Sequence, residues 1–189
     1  MAAPITAIAD LVIGDWLAAR YCSSSDLPAM AARSEIGVLF VCTGNICRSP
    51  TAEGVFKRCV EQAGMEGRIV SDSAGTHDYH VGDPPDPRTQ AAARRRGYEL
   101  GALRARRVRR EDFERFDYVL AMDETNLRAL ERLCPPEHAH KVKLLLEFAD
   151  GSPREVPDPY YGGPEGFEQV LDLVEQAARG LLRHISAGR

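Results

Sequence analysis

The chain becomes regular at residue 36. There an uninterrupted apolar run, Ile36, Gly37, Val38, Leu39, Phe40 and Val41, reads as a buried strand. From that point strand-like and helix-like patterns alternate. Strands are predicted at 37–42, 68–73, 118–122 and 141–145, and helices at 50–63, 87–96, 124–133 and 164–184, with a short turn at 109–113. Gly64 and Gly97 stand just past two of these helices, as closing residues.

Strands spaced by helices imply parallel pairing through right-handed crossovers, and ligands in such sheets bind beyond the strand C-termini. The expected fold is therefore α/β. A single domain over 36–189 would carry a central four-stranded parallel sheet flanked by helices. Residues 1–35 stand apart as an alanine-rich N-terminal extension in which Ile8, Leu11, Val12 and Trp16 follow helical spacing before a Ser/Pro break at 23–28. No Lys or Arg precedes Arg20, and Asp10 and Asp15 interrupt the apolar part, so this stretch does not read as a secretory signal.

Composition narrows the function classes. Charged residues make up 28% and apolar residues 44%, which is ordinary for a globular protein. A net charge of −4 argues against a nucleic-acid binder, and no apolar run approaches membrane-spanning length. Five irregularly spaced cysteines fit neither a zinc site nor a secreted disulfide framework, which makes a reducing, cytoplasmic home the expectation, with no metal and no cofactor. The arginine-rich interval 94–110 reads as a solvated face.

The candidate chemistry follows the first strand. Residues 41–50 read Val-Cys-Thr-Gly-Asn-Ile-Cys-Arg-Ser-Pro, with Ser49 as the expected N-cap and Pro50 as the first helical residue. Strand, tight loop and helix start together make an anion cradle, because loop and first-turn amides lack intrahelical partners and the helix dipole favours negative charge there. Arg48 adds a planar cationic fork for two phosphate oxygens. Cys42 lies at the bottom of this field, where it is expected as a thiolate aimed at phosphorus.

This loop resembles in full the phosphate-binding loop of the low-molecular-weight protein tyrosine phosphatases. Further stretches agree: Asp-Ser-Ala-Gly-Thr at 72–76, Tyr-His-Val-Gly at 79–82, Pro-Pro-Asp-Pro-Arg at 84–88, Phe-Asp-Tyr-Val-Leu-Ala-Met-Asp at 116–123 and Asp-Pro-Tyr-Tyr-Gly at 158–162. The resemblance implies that family's fold, phosphotyrosine phosphatase I-like, from about Ile36 to the C-terminus. It also implies hydrolysis of phosphotyrosine and small aryl phosphates. Asp158, stiffened by Pro157 and Pro159, takes the general-acid role by this resemblance. The expected reaction is attack by Cys42, a cysteinyl-phosphate, and its hydrolysis by water, with loop amides and Arg48 stabilising the equatorial oxygens.

Thr43, Gly44, Asn45, Ile46, Cys47 and Ser49 are the expected substrate-binding loop residues, with Tyr79, Tyr160 and Tyr161 as aromatic walls. Within the loop, Ser49 can donate to the Cys42 sulfur, and Asn45 can brace the loop, with Ser73 as a partner. Leu103 stands where many relatives carry a histidine, which puts that histidine's support for the loop in doubt. Ile46 offers a phenyl ring an apolar contact where related arginine phosphatases carry threonine, so phosphotyrosine is favoured. Cys42 and Cys47 flank one tight loop and could form a protective disulfide.

Two other readings compete. An arsenate reductase of the same fold needs a closely spaced downstream cysteine pair, and only Cys134 follows Cys59. A non-catalytic phosphate- or polyanion-binding module leaves Cys42, Arg48 and Asp158 unexplained. Expected partners are a tyrosine-phosphorylated protein and phosphate or another oxyanion in the site, with no nucleic acid and no membrane, and a monomeric state.

Overall fold

Both faces of β1 (Ile36–Cys42) are covered, which is why its sequence is apolar throughout instead of alternating. Val38, Phe40 and Cys42 point to one side and join a core with Val55, Phe56, Val174 and Leu181. Leu39 and Val41 point to the other, against Phe113, Phe116 and Leu130. In this computed structural model residues 35–151 and 153–188 are described. The helix and linker expected within 1–35 lie outside the described residues, apart from Glu35.

β1 is flanked by β2 (Ile69–Gly75) and β3 (Tyr118–Ala121), and β4 (Val142–Leu144) closes the sheet in the order β2-β1-β3-β4. All three pairings are parallel, with Cys42 opposite Gly75 and Val41 opposite Ala121. Helices α1 (Arg48–Gln62) and α5 (Pro164–Ala187) contribute to the core on one face. The short α3 (Asp112–Arg115) and α4 (Glu124–Leu133) pack on the other, and α2 (Pro87–Arg95) leans on α5. The four-stranded parallel sheet is the one expected. Among the described residues no helix is long and apolar enough to cross a membrane.

Element ends moved for identifiable reasons. β2 runs to Gly75, not 73, because Gly75 also donates to the Arg106 carbonyl (2.8 Å) and accepts from the Val108 amide (2.9 Å). β4 stops at Leu144 because a 3-10 turn, Leu145–Phe148, begins there, and another 3-10 turn spans Pro136–Lys141. Neither turn shows in the hydrophobic pattern. Gly64 and Gly97 do follow the caps of α1 and α2 with positive φ, 64° and 83°. The helix expected from Pro50 instead starts at Arg48, with Cys47 as its N-cap, so Ser49 is not the cap. Its hydroxyl is turned into the preceding loop.

The arginine-rich interval is more than a solvated face. Arg96 reaches Glu168 (2.7 Å), Asp172 (2.7 Å) and Glu175 (3.3 Å), tying the end of α2 to α5. Arg106 binds Asp72 and Asp112, both at 2.9 Å, tying β2 to the start of α3. α5 passes the Leu145–Phe148 turn so closely that a Cβ on Gly180 would overlap the Phe148 carbonyl oxygen. Gly180→Ala is therefore expected to destabilise the fold by about 1–3 kcal/mol or more. An unchanged Tm in thermal unfolding would contradict this packing.

Candidate active site

Cys42 is the last residue of β1 and is almost fully buried. The chain turns at once, through Asn45 at φ 56°, a left-handed conformation that Asn tolerates better than most residues. The turn aims the Asn45 amide at the Cys42 sulfur, 3.2 Å away. Loop carbonyls are engaged elsewhere: Cys42 O accepts from Thr76 N–H (2.8 Å), Thr43 O from His77 N–H (3.0 Å) and Ile46 O from Asp86 N–H (2.8 Å). A Cβ on Gly75 would lie 2.8 Å from Thr43 O and 3.3 Å from Asn45 N, so only glycine lets the end of β2 come this close to the loop.

The protons beneath the loop can be assigned by elimination. The Arg106 backbone N–H can only donate, and it meets Asn45 Oδ1 at 2.9 Å, so the Asn45 amide nitrogen faces the other way. That nitrogen donates to Ser49 Oγ and Ser73 Oγ, both at 2.9 Å. Each serine then has one proton left to give. Ser73 gives its own to Glu53 Oε2 at 2.6 Å. Ser49 lies 3.1 Å from Cys42 Sγ and 3.3 Å from Ala74 O, the two acceptors open to its proton. Asn45 and Ser73 thus meet as expected. The brace runs on through Glu53 and the Arg106 backbone.

Arg48 is 2% exposed, at the first turn of α1. Its guanidinium binds Asp123 Oδ2 (2.5 Å) and Asp158 Oδ2 (2.7 Å), with longer contacts to Val156 O (3.3 Å) and Thr43 Oγ1 (3.4 Å). Burial works against its charge, yet Cys42, Asp123 and Asp158 together hold its pKa above the ordinary value. Asp123 also caps α4, accepting from Asn126 N–H at 2.7 Å. The Asn126 side chain is best satisfied with its nitrogen toward Asp123 (3.2 Å) and its oxygen accepting from the Thr43 hydroxyl (3.1 Å).

Above the loop is a recess of about 310 Å³. Cys42, Thr43, Gly44, Ile46, Cys47, Arg48, Asp158, Tyr79, Tyr160 and Tyr161 all line it, and His80 joins them. Of the expected catalytic and substrate-binding residues, Asn45 and Ser49 are the two that do not line it. Tyr161 is 97% exposed and stands edge-on to Tyr160, with ring centroids 5.0 Å apart. Arg88 steadies the Asp158 segment: its Nη1 donates to Tyr160 O (3.1 Å), and its guanidinium lies 5.4 Å from the Tyr160 ring. Asp86 in turn grips Arg88 (2.8 Å) and caps α2.

The roles of Asp123, Asn126, Glu53 and Arg106 were missed in the sequence. An Asp between a strand and a helix signals a cap, but its pairing with an arginine 75 positions away leaves no local mark. Cys42 and Cys47 are both free thiols. Burial pushes the Cys47 thiol up to about 12, so it holds its proton at neutral pH.

Comparison with known proteins agrees with this geometry. Residues 37–189 match the profile of the low molecular weight phosphotyrosine protein phosphatases. The low molecular weight protein-tyrosine-phosphatase of Streptomyces coelicolor is 50% identical over 149 residues, covering 77% of this chain and 90% of the relative. The low molecular weight phosphotyrosine protein phosphatase of Schizosaccharomyces pombe is 50% identical over 153 residues, covering 80% and 97%. Among solved structures, a protein tyrosine phosphatase from Entamoeba histolytica with Hepes in its active site superposes with a TM-score of 0.79 at 39% identity, covering 82% of this chain and 99% of that one. YfkJ from Bacillus subtilis gives 0.78 at 40% identity, covering 84% and 99%. An α/β sheet with this loop at its C-terminal edge defines a Cys-x5-Arg phosphate-binding protein. The chain belongs to the low molecular weight phosphotyrosine protein phosphatase family.

Glu53 generates a pH prediction. Burial raises its pKa from 4.5 to about 7, against the lowering effect of the Ser73 hydrogen bond, with Asp72 adding to the rise and Lys57 and Arg106 opposing it. An acid that holds its proton more tightly folded than unfolded costs stability as pH rises through that interval. Glu53→Gln should therefore gain Tm relative to the parent between pH 4.5 and about pH 7, with the gap widest above the window and closed below it. A gap of constant size across a pH series of melting curves would contradict the assignment.

Proposed function

We propose that the protein hydrolyses phosphotyrosine, and small aryl phosphates, through a cysteinyl-phosphate intermediate. One observation carries the reading: the Cys42 sulfur, the buried Arg48 guanidinium and the Asp158 carboxyl meet in a single recess with tyrosine walls. Cys42 thiolate attacks phosphorus in line, the P–O bond to the phenol breaks, and Asp158 gives its proton to the departing oxygen. Water then attacks the S–P bond, Asp158 takes a proton from it, and inorganic phosphate leaves with the thiolate restored. Loop amides and Arg48 stabilise the equatorial oxygens in both displacements.

The contact between Asp158 and Arg48 fits this order of events. A phosphate gripping Arg48 competes for the Nη2 hydrogens that Asp158 now accepts. With its side chain 49% exposed, Asp158 is free to turn toward a leaving group. Ser49 and Asn45 serve the nucleophile by donating to, or fixing a donor toward, the sulfur.

Substrate preference rests on Ile46, Tyr79 and Tyr160, which offer apolar surface to a phenyl ring. The partner is accordingly a tyrosine-phosphorylated protein, met by a monomer in a reducing cytoplasm where a catalytic thiol survives. Cys42→Ser should abolish p-nitrophenyl phosphate hydrolysis. Asp158→Ala should lower kcat by roughly 10²–10⁴, most for leaving groups of high pKa. Steady-state kinetics at the parent's rate for either variant would refute the roles given them, and faster release of phosphate from phosphoarginine than from phosphotyrosine would refute the substrate.

A further inference from the structure

A second recess lies on the far side of the wall that bounds the first. It encloses about 330 Å³ between the chain leaving β2, the stretch beside Gly75 and the C-terminal half of α4, lined by Thr76, His77, Arg107, Val108, Ala129, Arg132 and Leu133. We propose that it holds a glutamate or aspartate side chain of the phosphotyrosyl polypeptide, a few residues from the phosphotyrosine. This deepens the phosphatase reading and rests on it.

The lining is cationic over an apolar floor. Arg107, Arg132, His77 and the Thr76 hydroxyl supply the polar groups, and no carboxylate is among the lining residues. Among the described residues most arginines already have acidic partners, as Arg96 and Arg106 do. Arg132, like Arg68, Arg104, Arg109, Arg110 and Arg128, makes no ion pair among the described residues, and of these only Arg132 lines this recess. Arg107 meets Asp78 at 3.3 Å, but both side chains are largely exposed, and a pair of that kind is weak enough to yield to a better acceptor. Val108, Ala129 and Leu133 offer the methylenes of an acidic side chain a surface that a bare polyanion would not use.

The two recesses are close in chain terms. Thr76 N–H donates to Cys42 O and His77 N–H to Thr43 O, so the second recess begins directly behind the phosphate loop. His77 stacks on Tyr79 with ring centroids 5.0 Å apart and planes 16° from parallel, and Tyr79 lines the first recess. The stacked pair is thus the ridge between them. An extended peptide advances ~3.3–3.6 Å per residue, so a position two or three residues from phosphotyrosine reaches roughly 7–11 Å, enough to cross one such ridge.

The test compares phosphotyrosyl peptides carrying Glu or Gln two and three residues to either side of the phosphotyrosine, with p-nitrophenyl phosphate as control. The parent protein should prefer one of the Glu peptides by about tenfold in kcat/KM at low salt, and added salt should reduce the preference. In R107A/R132A the preference should vanish while p-nitrophenyl phosphate is turned over at the parent's rate, which also reports that the variant is folded. Equal rates on Glu and Gln peptides in the parent, or a preference that survives both substitutions, would overturn the proposal. So would inhibition by inorganic polyphosphate that depends on Arg132 without any Glu preference, since the recess would then serve a free polyanion. If p-nitrophenyl phosphate is not hydrolysed by the parent at all, the phosphatase reading fails and this inference goes with it.

Discussion

A guanidinium almost wholly removed from water cannot stand alone, and the site is built to answer that demand. Arg48 enters the core because α1 starts at the loop's end, directly beneath the recess. Its charge must be compensated there, since an unpaired buried ion costs several kcal/mol. The compensation comes from three separate parts of the chain: the sulfur at the end of β1, the cap of α4 and the segment holding Asp158. Each partner is therefore placed by the arginine as much as it places the arginine. Charge balance and the geometry of the recess become one requirement.

Beneath this sits an uncharged counterpart. Asn45 has one amide group and uses both its hydrogens on serines and its oxygen on a backbone N–H, so its orientation admits no alternative. That single fixed amide limits where two hydroxyls can point, one toward Cys42 Sγ or Ala74 O and one toward Glu53. The loop is thus held by directional hydrogen bonds as well as by the core contacts of Cys42, Ile46 and Cys47. Pre-set donors of this kind are what stabilise developing charge without reorganisation.

Much of this was legible in the sequence, and what was not has a common cause. The buried run of β1, the glycines after α1 and α2 and the extent of α4 all follow from local patterning, and α4 begins and ends where periodicity put it. Cys42, Arg48, Asp158 and the three tyrosines share one recess, as the motif implied. The errors were non-local. β2 extends because residues 106–108 pair with its end, and Ser49 is no cap because its hydroxyl has partners in the loop and at β2. Glu53 and Asp123 are ordinary acidic residues in sequence, and only the fold sets one against Ser73 and the other against Arg48. The arginine interval misled for the same reason, since its partners lie on α5, β2 and the start of α3.

The missing side chain at Gly75 has one more implication. The cradle and the end of the neighbouring strand occupy space that either could fill only if the other left it empty, as a Cβ there would press on Thr43 and Asn45. These two stretches are therefore a single inheritable unit, although some thirty residues separate them. Transplanting such a loop into another α/β scaffold would succeed only if the recipient strand were also bare at that point, and a library that varied the ten loop positions alone would be searching half of the relevant space.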